Sequence, residues 1–159
     1  MNNILTMMIV TLTCLFTSVS AKDVHDIWKT YYDNGNLKSE TVLVNNEKHG
    51  IEKLYNEDGT IEEETPYKNG KIHGIKKTYR LFLSETPYVN GEKHGISKLY
   101  YESGQLMSEC PYVKGKAHGI EKWYYITGQL KEETRYVYDE PMGTNNYDEN
   151  GKLIIKKWL

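Results

Sequence analysis

The chain has 159 residues, enough for one ordinary domain, and its 20 basic and 22 acidic side chains are finely interspersed. A nucleic-acid face needs clustered Lys and Arg, so this pattern argues against that class. With 14 Tyr and 13 Gly against two Phe, the composition points to a thin β-structure rich in tight turns and away from an α/β enzyme.

Residues 4–16, ILTMMIVTLTCLF, form an apolar run, and residues 1–21 carry no charged side chain. The run is shorter than the ~20 apolar residues of a membrane-spanning helix. It ends in Ser18-Val19-Ser20-Ala21, with small residues at positions −1 and −3 of a cut after Ala21. These features predict a helical secretory signal peptide over 1–21 and a secreted or periplasmic mature chain starting at Lys22. An uncleaved N-terminal anchor is the alternative. Cys14 lacks the Leu-x-small-Cys context of a lipoprotein, and Cys110 alone remains after the cut, so no internal disulfide forms.

The rest of the chain, 22–159, is organised by a repeat. His-Gly occurs at 49–50, 73–74, 94–95 and 118–119, at intervals of 24, 21 and 24 residues. His25 and Gly143 extend the register at either end, so all five histidines share one position. The units are approximately 25–48, 49–72, 73–93, 94–117, 118–141 and 142–159. After His-Gly comes Ile-x-Lys, at Ile27/Lys29, Ile51/Lys53, Ile75/Lys77, Ile96/Lys98 and Ile120/Lys122. Tyr31, Tyr55, Tyr79, Tyr100 and Tyr124 follow, then a turn glycine at Gly35, Gly59, Gly104 and Gly128. Beyond it stand Leu37, Ile61, Leu106 and Leu130, and a glutamate column at Glu40, Glu64, Glu85, Glu109 and Glu133. Pro-Tyr at 66–67, 87–88 and 111–112 precedes an Asn-Gly or Lys-Gly turn at Gly70, Gly91 and Gly115.

Ile-x-Lys-x-Tyr alternates with the period of a strand, and Leu106-x-Ser108-x-Cys110-x-Tyr112 does so again. Asn56-Glu57-Asp58-Gly59 is a tight-turn sequence. Each unit therefore reads as strand, tight turn, strand, wider turn. The 21-residue unit loses its three residues between Tyr79 and Ser84, which shortens that hairpin tip and leaves its base in register. Pro66, Pro87 and Pro111 cannot donate to a ladder and mark where the second strand bends or stops pairing on one side. Whether Lys53 and Glu64 share a face depends on the turn type.

The units at 49–71, HGIEKLYNEDGTIEEETPYKNGK, at 94–116 and at 118–140 resemble the MORN-repeat-variant family, which in bacteria includes proteins labelled YwqK-type antitoxins. The resemblance covers about residues 26–155. It implies an all-β, elongated, single-layer antiparallel meander of hairpins with a groove, and it implies no catalytic residues.

Equivalent histidines in successive hairpins lie two strands apart, roughly 9.5 Å, too far to share one zinc. A backbone-bonded turn residue beside a left-handed glycine explains them better. The Lys and Glu columns repeat in like environments, so no pair has its pKa values driven apart as acid–base catalysis requires. Cross-strand charge pairing is their expected role. No phosphate loop, nucleophile elbow or Cys-x-x-Cys pair is present, and no cofactor or metal is expected. The aromatics Trp123, Tyr125, Tyr101, Tyr55, Tyr100 and Tyr124 form columns suited equally to packing and to binding. Trp123 stands on the parity opposite Ile120 and is exposed if the Ile column is the buried one.

The expected function is an exported, non-enzymatic repeat protein that binds a protein or surface glycan along its aromatic-lined face. An immunity protein that neutralises an exported toxin is the alternative.

Overall fold

The computed structural model describes residues 25–158, so the predicted signal peptide lies outside the described residues. The described residues contain sixteen strands and no helix. The long ones are β1 (His25–Tyr31), β2 (Leu37–Val44), β4 (Gly50–Tyr55), β5 (Ile61–Lys68), β7 (Gly74–Thr78), β8 (Ser84–Val89), β10 (Gly95–Tyr100), β11 (Leu106–Val113), β13 (Gly119–Tyr124), β14 (Leu130–Val137), β15 (Glu140–Tyr147) and β16 (Leu153–Trp158). Two-residue strands lie between them: β3 (Glu47–Lys48), β6 (Lys71–Ile72), β9 (Glu92–Lys93) and β12 (Lys116–Ala117). The long strands form one antiparallel sheet in sequence order, and each short strand folds back on the long strand before it. This is the single-layer all-β hairpin meander expected from the repeat.

Outside the 21-residue unit, the first turn of each unit is a three-residue loop. Tyr32 N–H donates to Asn36 O at 2.9 Å, and Gly35, at φ 86°, donates to Tyr32 O at 2.9 Å. A left-handed third residue is what such a loop demands, and Gly supplies it without a Cβ penalty. The same pair of bonds recurs around Gly59, Gly104, Gly128 and Gly151. In the 21-residue unit the base stays in register, Lys77 opposite Glu85 and Thr78 opposite Ser84, and residues 79–83 close the tip.

The second turn was expected to be the wider one, and it is instead a two-residue turn. Asn69 and Gly70 have φ 51° and 73°, and Asn45/Asn46, Asn90/Gly91, Lys114/Gly115 and Tyr138/Asp139 are likewise positive at both positions. That is the signature of a type I′ hairpin turn, whose twist matches the strands it joins. Each of these turns after the first also donates to the short strand of the preceding unit. Gly70 N–H reaches Lys48 O, Gly91 reaches Ile72 O, Gly115 reaches Lys93 O and Asp139 reaches Ala117 O, at 2.8–2.9 Å.

The glycine of His-Gly finds its reason at the junction between units. β5 pairs with β6 at Tyr67/Ile72 and with β7 at Glu64/Lys77. Between these pairs Thr65 and Pro66 face four residues, 73–76, so the ladder opens on that side. Pro66 sits in the opening, where its missing N–H costs no ladder bond, and its carbonyl accepts the His73 N–H at 2.9 Å. Val42 holds the same place against His49 at 2.9 Å, so the spacing makes the opening and proline merely fits it. A Cβ on Gly74 would stand 3.1 Å from Pro66 Cγ, and one on Gly119 only 2.7 Å from Pro111 Cγ. Pro-Tyr and His-Gly are thus two halves of one contact. In the fifth unit Arg135 replaces the proline and pairs directly with Gly143, leaving β14 and β15 with one irregularity in an otherwise continuous ladder.

Register settles the faces. Lys53 opposes Glu64 and Ile51 opposes Pro66 on one face, while Glu52 opposes Thr65 and Leu54 opposes Glu63 on the other. The first face is open: Ile27, Ile51, Ile75, Ile96 and Ile120 are 47–59 % exposed. The buried positions lie on the second, where Thr65 is 1 % exposed and Thr41, Ser108 and Thr134 are also buried. A single sheet has no second layer to cover large apolar groups. Compact β-branched Thr fits between the strands, and its hydroxyl is satisfied locally, Thr65 on Glu63 Oε1 at 2.6 Å and Thr41 on Glu52 Oε1 at 2.8 Å.

Two glycine variants separate the conformational and steric requirements. Gly104→Ala meets open space at φ 85° and should cost about 1–2 kcal/mol, while Gly119→Ala should cost more, because it adds contact with Pro111. In urea denaturation, Pro111→Ala should recover part of the Gly119→Ala loss and none of the Gly104→Ala loss. Additive effects at both glycines would contradict the contact.

Candidate functional site

On the isoleucine face the Tyr and Glu columns meet. Tyr79 OH donates to Glu64 Oε2 at 2.9 Å, Tyr100 OH to Glu85 Oε2 at 3.1 Å, Tyr124 OH to Glu109 Oε1 at 2.9 Å and Tyr147 OH to Glu133 Oε1 at 2.8 Å. Each hydroxyl reaches back to the carboxylate of the previous hairpin, so the columns tie units together. Lysines complete the row: Lys29–Glu40 at 3.8 Å, Lys77–Glu85 at 3.5 Å and Lys122–Glu109 at 3.5 Å. Burial, followed by the bond to Glu109, pushes the Tyr124 hydroxyl up to about 12. Repetition of one arrangement gives structural pairing and singles out no acid–base couple.

The six aromatics singled out from sequence fall into three places. Tyr55, Tyr100 and Tyr124 belong to the isoleucine face. Tyr101 and Tyr125 precede the tight turns, and their hydroxyls donate to the next unit's backbone, Tyr124 O at 2.6 Å and Tyr147 O at 2.9 Å. Tyr32 does the same to Tyr55 O at 2.6 Å. Trp123 lies on the threonine face, opposite Ser108 and Glu132. Exposure of Trp123 was conditional on a buried Ile column. The Ile column is open, and Trp123 is half-buried on the better covered face.

Sequence reasoning missed the apolar tip of the shortened hairpin. Leu81 is 87 % and Phe82 42 % exposed, beside a cavity of about 350 Å³ that Tyr79, Tyr100 and Tyr101 also line. Other tips carry Asp33-Asn34, Glu57-Asp58 and Glu102-Ser103. The run Arg80-Leu81-Phe82-Leu83 at the three-residue deletion was the available signal.

The threonine face carries a polar floor. Lys48 Nζ binds both oxygens of Glu52 at 2.7 and 2.9 Å and stands 4.8 Å from the centre of the Tyr67 ring. Burial works to raise the Glu52 pKa, but Lys48 and the Thr41 hydroxyl outweigh it and hold the carboxyl below its usual value. Burial, then the neighbouring Cys110, pushes the Tyr112 hydroxyl up to about 12. Burial likewise raises the Cys110 thiol, which makes it a poor nucleophile. Among the histidines, His73 and His118 keep a buried Nδ1 without a hydrogen-bond partner among the described residues, and His118 packs on Tyr138 with ring centres 4.6 Å apart. Among the described residues no group of three His, Cys, Asp or Glu is placed to hold a metal ion.

An open sheet of tandem hairpins tied by repeated Tyr–Glu and Pro–Gly contacts is a repeat scaffold. Residues 27–45, 48–69, 93–114 and 117–138 match the MORN repeat variant family, and the chain belongs to it. The matched segments omit the shortened unit, whose tip has lost its turn glycine. No curated protein matches the chain. The MORN repeat variant family is not an enzyme family.

The tyrosines give a pH test. Tyrosine in an unfolded chain loses its proton near pH 10, whereas Tyr112 and Tyr124 hold theirs in the fold to about 12. Stability from these groups is therefore complete below pH 10 and is lost as pH rises from 10 to 12. Urea midpoints should fall between pH 9 and pH 11, and by less in Tyr124→Phe. An identical fall in that variant would contradict the Tyr124–Glu109 bond.

Proposed function

We propose that this chain is a non-enzymatic binding module that holds a partner protein against its open isoleucine face, with the notch at the third hairpin as the main point of contact. The observation that carries the reading is the notch itself. There a polar tip has been replaced by exposed Leu81 and Phe82, next to three tyrosines. Exposed apolar groups cost solubility, and a cluster of them with aromatic walls has the composition of an interface hot spot. Tyr100 and Tyr101 serve as walls, while Tyr55 and Tyr124 extend the surface along the sheet. The apolar run over 4–16 and the Val19-Ser20-Ala21 ending support export through a cleaved signal peptide.

The test pairs affinity with stability. The partner is identified by capture on the mature chain, purified, and its Kd measured against variants. Leu81→Ser with Phe82→Ser should weaken binding by about 30-fold or more, the equivalent of about 2 kcal/mol, with at most a small fall in melting temperature, because Leu81 is almost wholly exposed and Phe82 is 42 % exposed. Trp123→Ala should instead lower the melting temperature, since the indole is half-buried. Undiminished affinity in the Leu81/Phe82 variant would sink the notch as the contact.

A further inference from the structure

The fifth unit contains a copy of the Lys48–Glu52–Tyr67 arrangement from which the lysine is missing. The repeat places Glu121 where Glu52 stands, Tyr136 where Tyr67 stands, and Ala117 where Lys48 stands. The second donor to Glu52, the Thr41 hydroxyl, is replaced by Cys110. Both of these donors to Glu52 are therefore absent around Glu121, while the carboxylate and the tyrosine are kept. The electrostatics differ accordingly. Burial raises the Glu121 carboxyl, only partly offset by Trp123 and Tyr136, whereas Glu52 is held low by its lysine and threonine. Glu121 in turn raises the Tyr136 hydroxyl, after burial itself. Asp139, which takes the place of Gly70, brings a second carboxylate to this point and accepts the Ala117 N–H at 2.7 Å.

We propose that Glu121 and Tyr136, with Ala117 vacating the place of a lysine, form a binding site for a primary alkylammonium group, supplied as the lysine side chain of a partner protein. The occupied copy shows the fit: an ammonium lies over the Tyr67 ring and donates to both oxygens of one carboxylate. Lys93, 4.7 Å from the centre of the Tyr112 ring, repeats the stacking half of that geometry. A charge-assisted bond to a half-buried carboxylate combined with a cation–π contact selects a cation over a neutral chain. The two N–H bonds select a primary ammonium over a quaternary one. Glu121 and Tyr136 are both part-exposed, so an incoming side chain can reach them. The proposal deepens the binding reading, and rests on it only for the source of the lysine.

The site is tested without any partner, by NMR titration of the full chain with Nα-acetyl-lysine methylamide, following the Trp123 indole and Tyr136 ring signals. Saturable shifts are expected, at least about tenfold weaker for the trimethyl-lysine analogue and absent for the norleucine analogue, which has no charge. Glu121→Gln should weaken the lysine probe by about tenfold or more. Ala117→Lys should abolish its binding by filling the site from within, as Lys48 does at Glu52. Were Ala117→Lys to misfold, Glu121→Gln keeps the test, because it changes no backbone and little volume. No saturable shift, equal binding of the norleucine analogue, or undiminished binding in Glu121→Gln would overturn the proposal. A failure here leaves the Leu81/Phe82 result standing, and the reverse also holds.

Discussion

Where one unit hands the chain to the next, a glycine with positive φ lies against the proline of the preceding strand, as Gly74 does on Pro66 and Gly119 on Pro111. The ladder opens there because two residues of one strand face four of the next. The chain uses that slack to swing from the two-residue return strand into the next long strand. Without a left-handed glycine the turn would drive a side chain into the neighbouring strand. The His-Gly and Pro-Tyr motifs therefore answer to one constraint, and the 24-residue period measures the distance between its recurrences.

A sheet built in this way has neighbours but no second layer, and its cohesion is correspondingly local. Backbone ladders, the turn-to-short-strand bonds and the Tyr–Glu and Tyr–carbonyl bonds all join a unit to the adjacent one. Burial centres on threonine and serine, with Leu43 and Ala117 the buried apolar side chains among the described residues. Large apolar groups are left on the open face, exposed to solvent. The scaffold and its open apolar surface are consequences of the same thinness.

Much of this was legible in the sequence because each repeat position has a local cause. Strand alternation, the glycine of the first turn, the register of the shortened unit and the one-sided pairing at proline all follow from residues close in the chain. The expectation of a wider second turn overlooked the Asn-Gly pairs at 69–70 and 90–91, which favour a two-residue type I′ turn. At Lys114-Gly115 and Tyr138-Asp139 the same turn forms without that pair, so there composition did not disclose it. Which face is buried was not legible: Ile and Thr both suit strands, and the choice depends on what a single layer can cover. That choice moved Trp123 to the better covered face. Leu81 and Phe82 sit outside the repeat pattern, so its periodicity carries no signal for them.

Residue-resolved amide hydrogen exchange on the full chain tests the nearest-neighbour account most directly. Local coupling predicts graded protection, greatest in the central strands within 51–125 and falling toward 26–40 and 144–158, because the edge strands β1 and β16 each have one neighbour. Uniform protection through both edges, lost in one cooperative step, would contradict it and show that the ends are held by something other than the adjacent hairpin.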